Sequence, residues 1–163
     1  MKILGIDPSS ACGGHAIADG DHLVEHAVWK PSKAAVKQKG ATRIFEYYRW
    51  LDEWLAPRAG ELDLAAIEDQ VVMRGAKTAR ILAHFEAIAI VVVKIYGLPL
   101  VRVKAGEARN IVLGMNPNSP KEQVLEALRL ARPDLSLPPK NQGGPDVADA
   151  FVLTQAAPVA LER

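Results

Sequence analysis

Four carboxylates stand out for where they fall. Asp7 ends the apolar run "ILGID" and Glu68 ends "LDLAAIE", so each closes a stretch that reads as a buried strand. Asp146 and Asp149 lie three residues apart in "PDVADAFVL", on one face of a helix. An acid at the end of a buried strand is costly without a partner. In an α/β sheet neighbouring strand ends lie side by side at the edge where sites are built, and a helix start packed there brings all four acids together. Such a cluster repels itself and raises its own pKa values unless a cation neutralises it. Oxygen-only donors select a hard divalent ion, Mg²⁺ or Mn²⁺ rather than Zn²⁺. Singly, some of these acids have plainer explanations, because Asp146 complements a helix dipole and Asp7 suits a turn. Glu68 is no turn-former, and Asp149 sits too far into its helix for the dipole to explain it.

The cations are clustered too. Lys30, Lys33, Lys37, Lys39 and Arg43 follow one another with no acid between, and Arg74, Lys77 and Arg80 recur at three-residue intervals. Net charge is only +1, so any affinity for phosphates rests on such local patches. Lys121 is physically odd: a cation in the first turn of a helix opposes the macrodipole. His15, His22 and His26 read as surface or edge positions rather than metal ligands. Cys12 has no identifiable histidine base and is a poor candidate nucleophile.

The elements that must position these residues are legible. Strands are expected at 2–7, 14–18 and 22–29, the last two joined by the turn "DGD". A lysine-rich loop leads to a helix over Ala41–Ala56, whose apolar residues from Ile44 to Leu55 share one face and which Pro57 ends. A strand over Leu62–Glu68, a long helix over Ala76–Tyr96 closed by Gly97, and a strand over Pro99–Val103 follow. "GEARNIVLG" reads as a short helix. The next helix, ending near Ala131, is expected to start with Ser119 as N-cap, Pro120 at its first position and Glu122 closing a capping box. A Pro-rich loop then leads to a last helix with Pro145 in its first turn. The order β-β-β-α-β-α-β-α-α-α predicts a mixed five-stranded α/β sheet, three strands antiparallel and the later ones parallel, flanked by helices.

The 163 residues suit one domain spanning 1–163. With 49% hydrophobic and 24% charged residues the composition is that of an ordinary globular protein. The longest apolar run, Ala87 to Val93, is too short to cross a bilayer, so no membrane role is expected. Nothing resembles a secretion signal, and the single cysteine fits a reducing cytoplasm.

Taken together, "ILGIDPSS", "AAIEDQVVM" and "GGPDVADAFVL" resemble the RuvC family of Holliday junction resolvases, of the ribonuclease H-like superfamily, over nearly the whole chain. "GIDPxS" alone also occurs in actin-like ATPases, but those are much larger two-domain proteins. The resemblance implies a ribonuclease H-like fold and a homodimeric, Mg²⁺-dependent endonuclease that cuts two opposed strands of a four-way DNA junction. Asp7, Glu68, Asp146 and Asp149 match the family's metal-binding acids, which hold two ions per active site, with Mn²⁺ able to substitute. The products implied are 5′-phosphate and 3′-hydroxyl ends. Lys121 matches the family's basic residue in a "K-x-Q-V" stretch, placed to meet the scissile phosphate. Arg109 stands where the family has a lysine, a departure that keeps the charge and adds a bidentate grip.

In that frame Arg74, Lys77, Arg80, Arg109, Lys121, Lys37 and Lys39 are the expected DNA contacts. A second departure follows Glu68, where Asp69, Gln70, Val71, Val72 and Met73 replace the stacking aromatic of bacterial resolvases; this points to a diverged, phage-type member acting in the cytoplasm of a bacterial or phage-infected cell. The long helix carries Ile81, Leu82, Phe85, Ile88, Ala89, Val92 and Val93 on one face, suited to a dimer interface or equally to the core. A nuclease preferring flaps, or a non-catalytic junction-binding module, remains open from the residues, as does a branch-migration partner.

Overall fold

β1 (Lys2–Asp7) is the middle strand of a five-stranded sheet and is covered on both faces, which is why its sequence is apolar rather than alternating. The computed structural model describes residues 1–38, 40–69 and 76–162, without the side chains of 76 and 77. β2 (Gly13–Asp19) pairs antiparallel with β1, and β3 (His22–Trp29) pairs antiparallel with β2. On the other side β4 (Leu64–Glu68) runs parallel to β1, and β5 (Leu100–Val103) runs parallel to β4. The order β3-β2-β1-β4-β5 is the mixed sheet expected from the sequence.

Six helices accompany it among the described residues: α1 (Lys33–Gln38), α2 (Ala41–Leu55), α3 (Ala76–Ile95), α4 (Ala105–Leu113), α5 (Lys121–Ala131) and α6 (Gly144–Leu161). α6 packs across every strand of the sheet and against α4 and α5, burying Ile3, Ala16, Leu64, Ala66 and Phe151. α2 and α3 cover the opposite face, over Leu4, Ile6, Ile17, Ala65 and Ile67. The two-residue period therefore puts Ile3, Gly5 and Asp7 on the α6 face of β1, and Leu64, Ala66 and Glu68 on the same face of β4. No helix among the described residues is long and apolar enough to cross a membrane.

Several local expectations need correction. The lysine-rich loop contains α1, whose start is capped by Ser32: its Oγ accepts the Ala35 N–H, and its backbone oxygen accepts that of Val36. Tertiary contact completes this short helix, because the Arg43 guanidinium donates to the carbonyls of Ala35 and Val36. β4 begins at Leu64, after a 3₁₀ turn over Ala59–Glu61. α5 has no Ser119 cap or capping box. Pro120 occupies the cap with extended backbone, its carbonyl accepts from Gln123 and Val124, and the Ser119 carbonyl is taken by Arg109.

His15 is corrected as well. It lies on the α2–α3 face of β2, fully buried, with Nε2 3.1 Å from the Tyr47 hydroxyl and Nδ1 without a partner among the described residues. Trp50 and Trp54, stacked on each other, close around it. Burial lowers its pKa to about 3, so the folded protein holds His15 neutral. An unfolded histidine takes up a proton below about pH 6.5, so its contribution is complete above that value and declines as pH falls towards the folded pKa. Relative to His15→Gln, wild-type stability should drop on acidification from pH 6.5 by up to about 1.4 kcal/mol per pH unit, measured by urea unfolding. Parallel pH profiles for the two proteins would contradict this.

Candidate metal centre

The acids meet because two glycines let α6 lie directly on the sheet. A Cβ on Gly5 would stand 1.9 Å from the Ala150 carbonyl oxygen, and one on Gly14, which faces Asp7 across the β1–β2 ladder, 2.0 Å from that of Asp146. Only a missing side chain permits this approach. It sets the first two turns of α6, carrying Asp146 and Asp149, against the end of β1. Glu68 follows Ile67, which pairs with Ile6 in the parallel ladder, so the Glu68 carboxyl arrives beside Asp7.

One ammonium ties the cluster together. Lys121, the first residue of α5, donates through Nζ to Asp7 Oδ2 and, at 3.0 Å, to Asp146 Oδ1; Asp149 Oδ2 is 3.8 Å away. Arg109, from α4, pairs with one of these acids, Asp149. Its Nε donates to Asp149 Oδ1 at 2.9 Å and Nη2 to Oδ2 at 2.6 Å, while Nη1 donates to the Ser119 carbonyl at 2.8 Å.

Electrostatics follow from burial. Asp7 is 2% exposed, and its pKa is pushed well above the carboxylate range by desolvation; Lys121 pulls it back and Glu68 raises it further. Burial likewise raises Asp149, against the pull of Arg109. For Lys121 burial disfavours the charge, but Asp7, Asp149 and Asp146 outweigh it and hold the pKa above the usual lysine value. Cys12 lies next to this cluster, its thiol pushed up to about 12 by burial and by Asp146, which leaves no thiolate at neutral pH.

Of the residues expected at the site, Asp7, Glu68, Asp146, Asp149 and Lys121 are brought together. Arg109 joins them from beneath, 9% exposed, rather than from the surface. Lys37 on α1 and Arg80 on α3 are exposed. Lys39 and Arg74 lie outside the described residues, as do the Lys77 side chain and the Gln70–Met73 part of the loop after Glu68. Sequence reasoning passed over a groove of about 400 Å³ that opens from Asp146 and Lys121 and is lined by Cys12, Lys30, Lys140 and Asn141. In the sequence Lys30 stands out only as part of a basic run, and Lys140, in a Pro-rich loop, carries no signal.

The donor set suits a hard divalent cation: oxygen ligands only, already drawn around one positive charge. Among the described residues no three side chains stand ready to grip a common ion as they are placed; what they grip is Lys121 Nζ. Asp7, Asp146 and Asp149 would hold a divalent cation only with Lys121 drawn away from them. Lys121, with its side chain 35% exposed, has solvent to move into.

No protein-family model and no curated protein matches the sequence. Solved structures do match in fold. Thermus thermophilus RuvC in complex with Holliday junction substrate aligns with a TM-score of 0.74 at 20% identity, covering 98% of this chain and 96% of that one. A second Thermus thermophilus RuvC structure gives 0.70 at the same identity and coverage. Fowlpox virus resolvase with substrate Holliday junction DNA gives 0.60 at 13% identity, over the full length of both chains. The chain has the ribonuclease H-like fold of RuvC.

Proposed function

We propose that this protein is a Mg²⁺-dependent endonuclease that resolves four-way DNA junctions by nicking two opposed strands, with Mn²⁺ able to substitute. The observation that carries the reading is the convergence of Asp7, Asp146 and Asp149 on the Lys121 ammonium, with Glu68 beside Asp7, at the strand ends of a fold shared with a protein solved on a Holliday junction. Asp7, Glu68, Asp146 and Asp149 would hold the ions. Bound divalent ions would activate water for in-line attack at phosphorus and neutralise the charge on the leaving 3′ oxygen, so the ends are 5′-phosphate and 3′-hydroxyl. Lys121, freed from the acids, is placed to donate to a non-bridging oxygen of the scissile phosphate. The surrounding apolar core keeps Asp7 and Asp149 from bulk water, which strengthens their grip on any cation. Lys37 and Arg80, with Arg74, Lys77 and Lys39, are proposed to hold the arms of the junction through phosphate contacts.

A junction presents two symmetric scissile strands, which a homodimer matches. α3 supports that assembly by leaving Ile81, Val91 and Ile95 38%, 49% and 58% exposed on one helix. Val91→Glu combined with Ile95→Glu should therefore yield monomers in sedimentation velocity and uncouple the two nicks. An unchanged dimer would move the interface elsewhere.

Substrate class is tested by offering equal concentrations of a four-way junction, a 5′ flap and linear duplex. Faster cleavage of the junction supports the proposal; a preference for the flap would replace it with a flap-nuclease reading.

A further inference from the structure

The end of β4 is gripped from the face of the sheet that the four acids do not use. Strand alternation sends Ile67 and Asp69 to the α2–α3 face and Glu68, between them, to the α6 face. Arg102 pairs with Ile67 across the β4–β5 ladder and shares the α2–α3 face with Leu100. Its Nη2 donates to Asp69 Oδ1 at 2.6 Å and also to Glu86 Oε1 on α3. The Asp69 N–H donates to the Val103 carbonyl at 2.9 Å, so the backbone pairing runs one residue past Glu68. The residue after Glu68 is therefore fixed through both its main chain and its side chain.

We propose that Arg102 is a positioning residue for Glu68, acting through Asp69 from the opposite face of the sheet. The inference rests on the metal-dependent reading above. Stability explains only half of the arrangement. Glu86 has its side chain 8% exposed, and a carboxylate so buried calls for a cation, which Arg102 supplies. Asp69 is different: its side chain is 30% exposed and that of Arg102 51%, and a pair so open to water adds little to stability. What the pair adds is direction. Tying position 69 to β5 and α3 stops the strand end from twisting, and the two-residue period then aims the Glu68 side chain at Asp7. Partners that orient a ligating carboxylate from behind are typically worth ten- to a hundredfold in metal affinity or activity.

Asp69→Ala is the discriminating variant, because Arg102 keeps Glu86 as a partner and the fold is spared. Calorimetry on the full chain without DNA should show Mn²⁺ bound at least about tenfold more weakly than by wild type. At limiting metal, kcat for junction cleavage should fall by a similar factor, with KM for the junction within about twofold of wild type. Saturating Mn²⁺ should restore most of the rate, which a general loss of structure would not allow. In a Glu68→Gln background the same substitution should cost nothing further in Mn²⁺ affinity. Arg102→Gln should reproduce the loss with an added drop in Tm, because the buried Glu86 loses this cation, and Arg102→Lys should recover part of both. Should Asp69→Ala not fold, Asp69→Asn, which keeps an acceptor oxygen but loses the charge, decides in its place with a smaller loss of the same pattern. Mn²⁺ affinity equal to that of wild type in a folded variant, or an equal loss in the Glu68→Gln background, would overturn the proposal and leave the metal-dependent reading intact. Weaker junction binding with unchanged Mn²⁺ binding would also overturn it, by making this pair a substrate contact. No Mn²⁺ bound by wild type would overturn both.

Discussion

Asp7→Asn should abolish junction cleavage and make the metal-free protein more stable. In the proposed metal-dependent reaction a divalent ion would contribute several kcal/mol of transition-state charge stabilisation, so removing the Asp7 carboxylate should cost roughly a thousandfold or more in rate. The stability gain has a separate origin. Asp7 is 2% exposed, and burial, with Glu68 beside it, disfavours its ionised form more than Lys121 favours it. Asparagine keeps the shape and drops the charge, while Lys121 retains Asp146 and Asp149 as partners. The expected gain is about 1 kcal/mol, or roughly 2–4 °C in Tm at this chain length. Its pH dependence has a fixed sign. Because the folded pKa of Asp7 is raised, wild type loses stability as pH climbs from the unfolded carboxyl range towards that value, and the advantage of the variant vanishes below about pH 4. Mg²⁺ should raise the wild-type Tm more than that of the variant. A variant that melts below wild type at pH 7 without metal would contradict the electrostatic account of the cluster.

Gly14→Ala should damage both the fold and the site. The new methyl carbon would stand 2.0 Å from the Asp146 carbonyl oxygen and 2.7 Å from the Val147 nitrogen, so the first turn of α6 must lift off β2. Backbone cannot rotate aside as a side chain can, so the cost is about 3 kcal/mol, the upper range for overpacking. Under the proposed metal-dependent reading, displacing Asp146 should also weaken Mn²⁺ binding, which separates this effect from a simple loss of stability. Gly60→Ala is the matched control: nothing lies within 4 Å of its Cβ position, and thermal melts should place it within about 0.5 kcal/mol of wild type. Equal behaviour of the two variants would refute the close-packing role of Gly14.

The acids were legible because each sits where a local pattern ends. An apolar run followed by a carboxylate marked Asp7 and Glu68, and a three-residue spacing marked Asp146 and Asp149. Strand alternation then explains why they share a face. Gly5 and Gly14 were not legible as the residues that admit α6, since a glycine's packing partner is set by tertiary contact. The same holds for Arg109: its charge was plain in the sequence, but its partner lies 40 residues away. The Ser119 cap failed for a related reason, because Arg109 claims the Ser119 carbonyl while Pro120 supplies the cap. α1 was hidden among lysines, held by a Ser32 cap and an arginine from the next helix.

Strand-resolved cleavage of a four-way junction tests the central claim most directly. With all four strands separately end-labelled and Mg²⁺ present, the protein should nick two opposed strands at symmetry-related positions and leave ends that ligase reseals. Junction binding without a nick in either Mg²⁺ or Mn²⁺ would contradict the account.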